Sequence, residues 1–249
     1  MTRRFFVESG VASGDTVAID GALAHRLARV LRLRAGSEIV LFDGSGIDAR
    51  VLLDTVGDRT ISGSVLGRAP GPAEARVRVH LYQSIAKGER FEWLIEKATE
   101  IGVARIVPLI AARAVVKPAG DGNRADRWRR IAVEAAEQCE RSTVPVIDAP
   151  TTLEAALATA PGILVVPYEE AHESAPNIHA VLAQRIDELF ALGEVSLLIG
   201  PEGGYEPGEI ARAEAVNAAI VTLGERVLRS ETAGLVGATL VLHAAGELG

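Results

Sequence analysis

Two stretches of the chain decide its fold: LLIGPEGGYEPGE at Leu197–Glu209 and LGERVLRSETA at Leu223–Ala233. In each, a short apolar strand leads into a loop, and a helical pattern follows the loop. Three glycines and a proline fall within Gly200–Gly204, so few side chains cover the backbone of the first loop. Two such loops at the ends of neighbouring strands would enclose a pocket lined by peptide groups. Such a pocket suits a flat, polar, adenosine-like ligand, and the pattern therefore predicts a cofactor enzyme.

Strands and helices alternate over residues 73–249. The predicted strands are Val77–Gln83, Arg105–Ile110, Ile163–Pro167, Val195–Ile199 and Ala219–Leu223. The predicted helices are Glu89–Ile101, Ala125–Glu140, Ala175–Leu192, Pro207–Val216 and Glu231–Glu247. This alternation is typical of an α/β fold with a mostly parallel sheet. Ligands of such sheets bind at the carboxyl ends of the strands, which is where both loops lie.

Residues 1–72 have the pattern of a small β-rich module. The predicted strands are Arg4–Val7, Glu38–Phe42, Ala49–Val56 and Thr60–Leu66. One amphipathic helix is predicted from helical spacing of Leu23, Leu27, Val30 and Leu31. Arg26, Arg29 and Arg32 fall on an adjacent face of this helix, which is expected to point outward. The Pro/Gly/Ala segment Arg68–Ala75 predicts a boundary between one domain of residues 1–72 and another of residues 73–249.

Charge is distributed unevenly along the chain, whose net charge is −7. Residues 1–72 carry 9 basic and 8 acidic residues, whereas residues 73–249 carry 17 and 25. Four arginines and no acidic residue lie between Gly21 and Ser37. Because salt screens distant charges beyond about 8 Å, a local basic stripe can bind phosphate even on an acidic protein. A solvated helix face would explain the same pattern.

Several functional classes are disfavoured by what the sequence lacks. No apolar run reaches the roughly 18 residues of a membrane span, and the first ten residues lack the apolar stretch of a secretory signal, so a cytoplasmic protein is expected. A single cysteine and five histidines without ligand spacing predict no bound metal. The absence of GxxxxGK[ST] excludes a P-loop, and the absence of a proper GxGxxG makes a nicotinamide enzyme a weak alternative.

The two loop motifs resemble the cofactor motifs of SPOUT methyltransferases, and more narrowly those of the ribosomal RNA small subunit methyltransferase E family. The resemblance spans nearly the whole chain and includes RFFV at Arg4–Val7, His25 with Val30–Arg32, EKATEIGV at Glu96–Val103, and EAAEQCER at Glu134–Arg141. It implies a PUA-like RNA-binding β-barrel followed by a domain with a deep trefoil knot, a rare exception to unknotted chains. It also implies S-adenosylmethionine as cofactor, a homodimer with the active site near the interface, and methylation of uridine N3 in 16S small-subunit rRNA.

The resemblance also implies which residues hold the cofactor. They are Val166, Pro167, Ile199, Gly200, Pro201, Glu202, Gly203, Gly204, Leu223, Gly224, Val227, Leu228, Ser230 and Thr232. Simple turns are the alternative explanation for the glycines, and core packing would explain Ile199, Leu223, Val227 and Leu228 equally well. Ser230 is also predicted to be the N-cap of the last helix, with Glu231 in its first turn.

Chemistry and charge suggest the remaining roles. Uracil N3 must lose a proton, and a nearby cation would stabilise the negative charge that develops. The candidates are Arg229, Arg226 and, from across the dimer, Arg141, and no residue stands out as general base. Cys139 is expected to be a bystander. The residues predicted to hold rRNA phosphates are Arg3, Arg4, His25, Arg26, Arg29 and Arg32.

Two rival functions stay open on the sequence alone. The first keeps the fold but changes the target, to a ribose 2′-OH or a tRNA base. The second is a knotted RNA-binding assembly factor without catalysis.

Overall fold

The structure is a computed structural model that describes residues 3–8, 11, 13–114, 122–171 and 175–249, the side chains of residues 122 and 123 excepted. The chain divides into two compact units: Met1–Glu74 with Ala136–Val144, and Ala75–Ala135 with Pro145–Gly249. The segment Ala136–Val144 belongs to the first unit although the sequence placed it in the second domain.

The strands of the described residues are short to medium in length. They are β1 (Arg4–Phe6), β2 (Thr16–Asp20), β3 (Glu38–Phe42), β4 (Ile47–Val56), β5 (Thr60–Pro70), β6 (Arg78–Ser84), β7 (Arg105–Ile110), β8 (Val146–Ile147), β9 (Thr151–Thr152), β10 (Ile163–Pro167), β11 (Glu194–Ile199) and β12 (Ala219–Val221). The α-helices are α1 (Gly21–His25), α2 (Arg90–Glu100), α3 (Gly122–Gln138), α4 (Leu153–Thr159), α5 (Ile178–Gln184), α6 (Ile186–Leu192), α7 (Pro207–Ala215) and α8 (Ser230–Ala244).

The first unit is built on a sheet with the strand order β1-β3-β4-β5-β2. β1 pairs with β3 in parallel, and the other neighbours pair antiparallel. The β4–β5 register shifts at Arg50/Val51 and at Leu53/Thr55, and such irregularities bend a strand pair. The sheet thereby encloses a core that includes Leu27, Ile39 and Leu41.

The basic helix departs from the predicted pattern. After α1 the chain continues as a π-helix over Arg26–Val30, and the amide of Leu31 donates to the carbonyl of Arg26 at 2.9 Å. The wider turn breaks the predicted apolar face, so Leu27 is buried while Val30 is 67% exposed. The prediction that Val30 packs inward was therefore wrong.

The second unit contains a sheet with the order β12-β10-β11-β6-β7-β8, and β9 also pairs with β7. All these pairings among the described residues are parallel. The central strands β6 and β11 are buried along almost their whole length, as expected for a parallel sheet covered on both faces.

Helix α8 crosses back from the edge strand β12 to pack against β6, β11, α2 and α5. Two glycines permit the close approach: a Cβ at Gly237 would lie 2.7 Å from Leu197 Cδ2, and one at Gly234 would lie 2.2 Å from Gln83 Oε1. The chain thus doubles back across the sheet after β12, which the predicted trefoil knot requires.

The predicted fold class is confirmed: a mixed α/β chain with a mostly parallel sheet follows a small β-rich N-terminal module. The helix predicted at Ala175–Leu192 is instead two helices, α5 and α6, which meet at Arg185. Within the described residues, no helix has both the length and the apolarity needed to cross a membrane.

Candidate functional site

Three loops meet at one edge of the second unit's sheet. They follow β10, β11 and β12, which are neighbouring parallel strands, so their carboxyl ends lie side by side. The amide of Tyr168, which follows β10, donates to the carbonyl of Val221 at the end of β12, with a donor–acceptor distance of 3.0 Å. The loop after β10, whose strand end at Val166 and Pro167 was also predicted to hold the cofactor, therefore joins the other two loops.

Glycines make the loop after β11 compact. Gly204 has φ +68°, and its amide donates to the carbonyl of Pro201 at 2.9 Å to close a tight turn. A Cβ at Gly204 would lie 1.9 Å from Glu169 Oε1, and one at Gly203 would lie 3.3 Å from Arg113 Cβ. These two glycines thus make room for protein side chains.

Ser230 ties the loops together, and its role differs from the predicted one. The N-cap of α8 is Arg229, so the prediction that Ser230 caps the helix was wrong. The Ser230 hydroxyl donates to the carbonyl of Gly200 at 2.6 Å and accepts from Gln83 Nε2 at 2.8 Å. One buried side chain therefore links the start of α8 to the ends of β11 and β6.

The loops enclose a cavity of about 480 Å³, within the usual range for small-molecule sites. Its wall contains twelve residues that the sequence assigned to the cofactor or to catalysis. These are Pro167, Ile199, Gly200, Pro201, Glu202, Leu223, Gly224, Arg226, Val227, Leu228, Arg229 and Ser230.

Four of the predicted cofactor residues lie outside this wall. Val166 is 1% exposed, and its side chain packs in an apolar core cluster instead of lining the cavity. Gly203 and Gly204 shape the turn described above. Thr232 is half-buried in the first turn of α8, and the cavity wall includes its neighbours Ser230 and Ala233 instead.

Sequence reasoning missed six residues of the wall: Arg90, Tyr168, Glu169, Thr222, Glu225 and Ala233. Tyr168 and Glu169 directly follow the strand that ends in Pro167, so the end of that strand was the available signal. No local signal marked Arg90, since it lies in a different part of the sequence, at the start of α2.

Charges of both signs line the cavity. Arg90, Arg226 and Arg229 are basic, and Glu169, Glu202 and Glu225 are acidic. The hydroxyl of Tyr168 donates a hydrogen bond to Glu170 Oε2 at 2.7 Å, and this bond raises the pKa of Tyr168 to about 12. The Tyr168 phenol therefore stays protonated at neutral pH and is unsuited to accept a proton there.

Arg90 connects the loop after β11 to α8. Its Nη1 lies 2.5 Å from Glu202 Oε1, and its Nε lies 3.9 Å from Glu231 Oε1. The side chain of Glu231 is only 8% exposed, and its Oε2 is buried without a hydrogen-bond partner among the described residues. Buried polar atoms of this kind are uncommon in native proteins and often mark a ligand or a reactive group.

Arg141 and Arg4 have structural partners within the first unit. Arg141 is 8% exposed and forms two bonds to Glu74, of 3.0 and 2.5 Å. Arg4 binds both oxygens of Asp48, at 2.7 and 2.8 Å, and also donates to Ser142 Oγ. Guanidinium groups held in this way are poorly placed to bind a further anion, so neither is retained in the site proposed below.

The other predicted RNA contacts are exposed on the same unit: Arg3, His25, Arg26, Arg29 and Arg32. Arg26 pairs with Glu137 at 2.9 Å, and Arg29 pairs with Asp58. The Arg29–Asp58 pair is exposed on both sides and contributes little to stability, so phosphate can replace the Asp58 carboxylate at small cost. The Glu137 side chain is only 9% exposed, so the Arg26 pair is less easily replaced.

No cluster of three or more potential metal ligands occurs in the described part of the chain. His172 lies outside the described residues.

Comparisons with known proteins agree with this geometry. Residues 73–242 match the family model of an RNA methyltransferase domain, and residues 19–59 match that of an RNA methyltransferase PUA domain. The chain is 30% identical to the ribosomal RNA small subunit methyltransferase E of Bacillus subtilis, over 97% of this chain and 96% of the relative. It is 34% identical to the protein of that name from Mycobacterium bovis, over 93% and 88%.

A solved structure is similar over the same extent. The ribosomal RNA small subunit methyltransferase E of Neisseria gonorrhoeae, bound to S-adenosyl methionine, matches with a TM-score of 0.86 and 28% identity, and the match covers 98% of each chain.

Proposed function

The chain belongs to the ribosomal RNA small subunit methyltransferase E family, and from this premise we propose that it methylates N3 of a uridine in 16S small-subunit rRNA, with S-adenosylmethionine as methyl donor. The observation that carries the proposal is the cavity enclosed by the loops after β10, β11 and β12. The solved structures that are similar to this chain include a relative with S-adenosyl methionine bound.

The residues of the cavity fit this cofactor. Peptide groups of Gly200 and Gly224 provide hydrogen-bonding backbone without covering side chains, while Ile199 and Leu228 provide apolar walls for adenine. The mixed acidic and basic lining suits a molecule that carries both a carboxylate and two positive groups. When bound, the cofactor supplies an electrophilic methyl group on a sulfonium.

The chain's own residues position the uracil and stabilise charge. Methyl transfer from a sulfonium depends mainly on alignment, which the rigid strand ends provide. Arg226 and Arg229 are exposed on the loop that lines the cavity. Their guanidinium groups offset the negative charge of the uracil imide as it develops.

The first unit holds the rRNA in this proposal. The rRNA phosphates contact five exposed side chains of this unit, those of Arg3, His25, Arg26, Arg29 and Arg32. The uridine is turned out of its stack into the cavity.

The same proposal includes a homodimer, and a measurement of the molecular mass of the protein in solution tests it. An enzyme that acts on ribosomal RNA is expected to work in the cytoplasm, where ribosomes are assembled.

Two measurements test the function. Isothermal titration with S-adenosylmethionine is expected to give saturable binding, and no binding would favour a non-catalytic assembly factor. Mass spectrometry of rRNA nucleosides from a strain without the enzyme is expected to lose N3-methyluridine, which returns when the gene is restored. Loss of a ribose-methylated or tRNA nucleoside in its place would contradict the proposed target.

Replacing Arg32 with alanine is expected to weaken rRNA binding and to lower the salt dependence of the affinity. Each phosphate contact adds about one to the slope of log K against log salt. Arg32 is exposed, whereas Arg26 is already paired with Glu137, so Arg32→Ala should change the slope more than Arg26→Ala. Binding to small ribosomal subunits at several salt concentrations measures both. Arg212→Ala replaces an exposed arginine on α7 and serves as control. If the salt dependence has the same slope for all variants, Arg32 does not bind phosphate as proposed.

Replacing Cys139 with serine is expected to keep at least half of the methylation rate. N3 already carries a lone pair once deprotonated, so the reaction needs no covalent attack by a thiolate on the base. Cys139 is half-buried, and its Sγ lies 3.9 Å from the carbonyl of Ala136. A folded but inactive Cys139→Ser protein would contradict N3 as the methylated atom.

A further inference from the structure

The N-terminal half of helix α3 carries a concentration of positive charge. Residues 124–133 have the sequence RADRWRRIAV, with four arginines and a single acidic residue, Asp126. Residues 73–249 as a whole carry 17 basic and 25 acidic residues, so this segment departs from the charge of the domain that contains it. None of these arginines belongs to the cavity wall, so the cofactor site does not account for them.

Electrostatics within the helix does not explain these arginines either. The N-terminus of a helix is the positive end of its dipole, where acidic side chains are stabilising and basic ones are not. The first turn of α3 contains Arg124 and no acidic residue. The charge at this end of the helix therefore opposes its stability, which favours a role in binding an anion.

Three of the arginines form one stripe along the helix. Arg124, Arg127 and Arg130 are spaced three residues apart, and such positions are neighbours on a helix surface. Trp128 is 5% exposed and packs on Phe91 of α2, with ring centroids 4.6 Å apart. This contact fixes the rotation of α3 and leaves Arg127 and Arg130 exposed.

The stripe has hydrogen-bond donors available for an anion. Arg127 donates to Glu92 Oε2 at 2.6 Å, yet 53% of its side chain stays exposed. A guanidinium group has five N–H donors, so this bond leaves others available. Arg130 forms no ion pair among the described residues, although Asp126 and Glu134 lie four positions before and after it. Both guanidinium groups can therefore bind phosphate without breaking a contact of the fold.

Helix α2 connects the stripe to the cavity. Arg90, the first residue of α2, belongs to the cavity wall. The next two residues, Phe91 and Glu92, hold α3 through the ring contact and the ion pair described above. The stripe therefore lies about one helix diameter, 10–12 Å, beyond the cavity wall. A strand of several nucleotides that leads out of the cavity can span this distance.

We propose that the α3 stripe, formed by Arg124, Arg127 and Arg130, is a second rRNA-binding surface, located on the second unit, and that it binds backbone phosphates of the strand that flanks the methylated uridine. This inference rests on the proposed function. The guanidinium groups bind phosphate oxygens through charge-assisted hydrogen bonds. Because such contacts do not reach base edges, the stripe contributes affinity and register but no sequence specificity.

The test compares Arg130→Ala with Arg129→Ala in the full-length protein. Arg129 is also exposed on α3, but it is one position from Arg130 and two from Arg127, and such positions do not face each other. Both changes remove one charge, and alanine is the best helix former, so both variants should fold. Binding to protein-free 16S rRNA is measured at several salt concentrations. Arg130→Ala should weaken binding about three- to tenfold and lower the slope of log K against log salt by about 0.7–0.9, whereas Arg129→Ala should match the wild type.

Further variants separate charge from structure. Arg130→Lys keeps the charge and should keep the slope, and Arg127→Ala combined with Arg130→Ala should lower the slope about twice as much as Arg130→Ala alone. Calorimetry should give the same affinity for S-adenosylmethionine in Arg130→Ala as in the wild type, because the stripe lies outside the cavity wall. With small ribosomal subunits as substrate, Arg130→Ala should raise KM and leave kcat unchanged, as expected for the loss of uniform binding.

Three results would overturn the proposal. They are a wild-type slope for Arg130→Ala, an equal loss for Arg129→Ala, and a loss of affinity for small ribosomal subunits without a loss for protein-free rRNA. The last would make the stripe a contact for a ribosomal protein. Failure of the proposed function is recognised separately, because the wild type itself would then form no N3-methyluridine, whereas the salt slopes report on RNA binding alone.

Discussion

Replacing Ser230 with alanine is expected to weaken S-adenosylmethionine binding roughly tenfold, about 1.4 kcal/mol. The Ser230 hydroxyl bonds both the carbonyl of Gly200 and Gln83 Nε2. Its removal leaves that carbonyl without its serine donor and frees the start of α8 from the end of β11. Because Gly200 and the loop before α8 both line the cavity, losing the bond between them loosens the cavity wall.

Ser196 provides a matched control for this prediction. Its hydroxyl also donates to a backbone carbonyl at 2.6 Å, that of Pro161, but it lies near the opposite end of β11. Both alanine variants should lower the stability of the second unit by about 1–3 kcal/mol, since each leaves a backbone acceptor unmatched. Calorimetry should show weaker cofactor binding for Ser230→Ala alone. Equal affinities for the two variants would mean that Ser230 acts only on stability.

The sequence predicted correctly those elements whose structure depends on residues adjacent in the chain. The loop after β11 is made by adjacent glycines and a proline, and the strand before it is a short apolar run, so both were predicted within a residue or two. The parallel sheet followed from the alternation of strands and helices, which reflects packing on both faces.

Local rules failed where a distant partner competes. Ser230 has the residue type of an N-cap, yet its hydroxyl bonds Gly200, which is 30 positions away, and the cap position falls on Arg229. Val30 fits a helical apolar stripe, but the π-turn after α1 rotates it to the surface. Arg90 was missed because only the folding of α2 and α8 against each other brings it to the site.

Replacing Gly162 with alanine is expected to destabilise the second unit by at least about 3 kcal/mol. Gly162 has φ +74°, which costs an alanine about 1–2 kcal/mol. In addition, a Cβ there would lie 2.0 Å from the carbonyl oxygen of Glu194, a backbone atom that cannot move alone. Ile163 and Val195, the next residues, are paired between β10 and β11, so the overlap pushes these two strands apart.

Gly193→Ala separates the two causes. Gly193 also has a positive φ, +65°, but a Cβ there would lie 3.5 Å from its nearest contact, the carbonyl of Arg76. It should therefore show the backbone strain without the overlap. With about 2–4 °C per kcal/mol for a unit of this size, Gly162→Ala should lower Tm by at least about 6–12 °C and Gly193→Ala by about 2–8 °C. Because β10 and β11 carry two of the cavity loops at their other ends, Gly162→Ala should also weaken cofactor binding. Equal Tm losses for the two variants would show that no steric overlap occurs at Gly162.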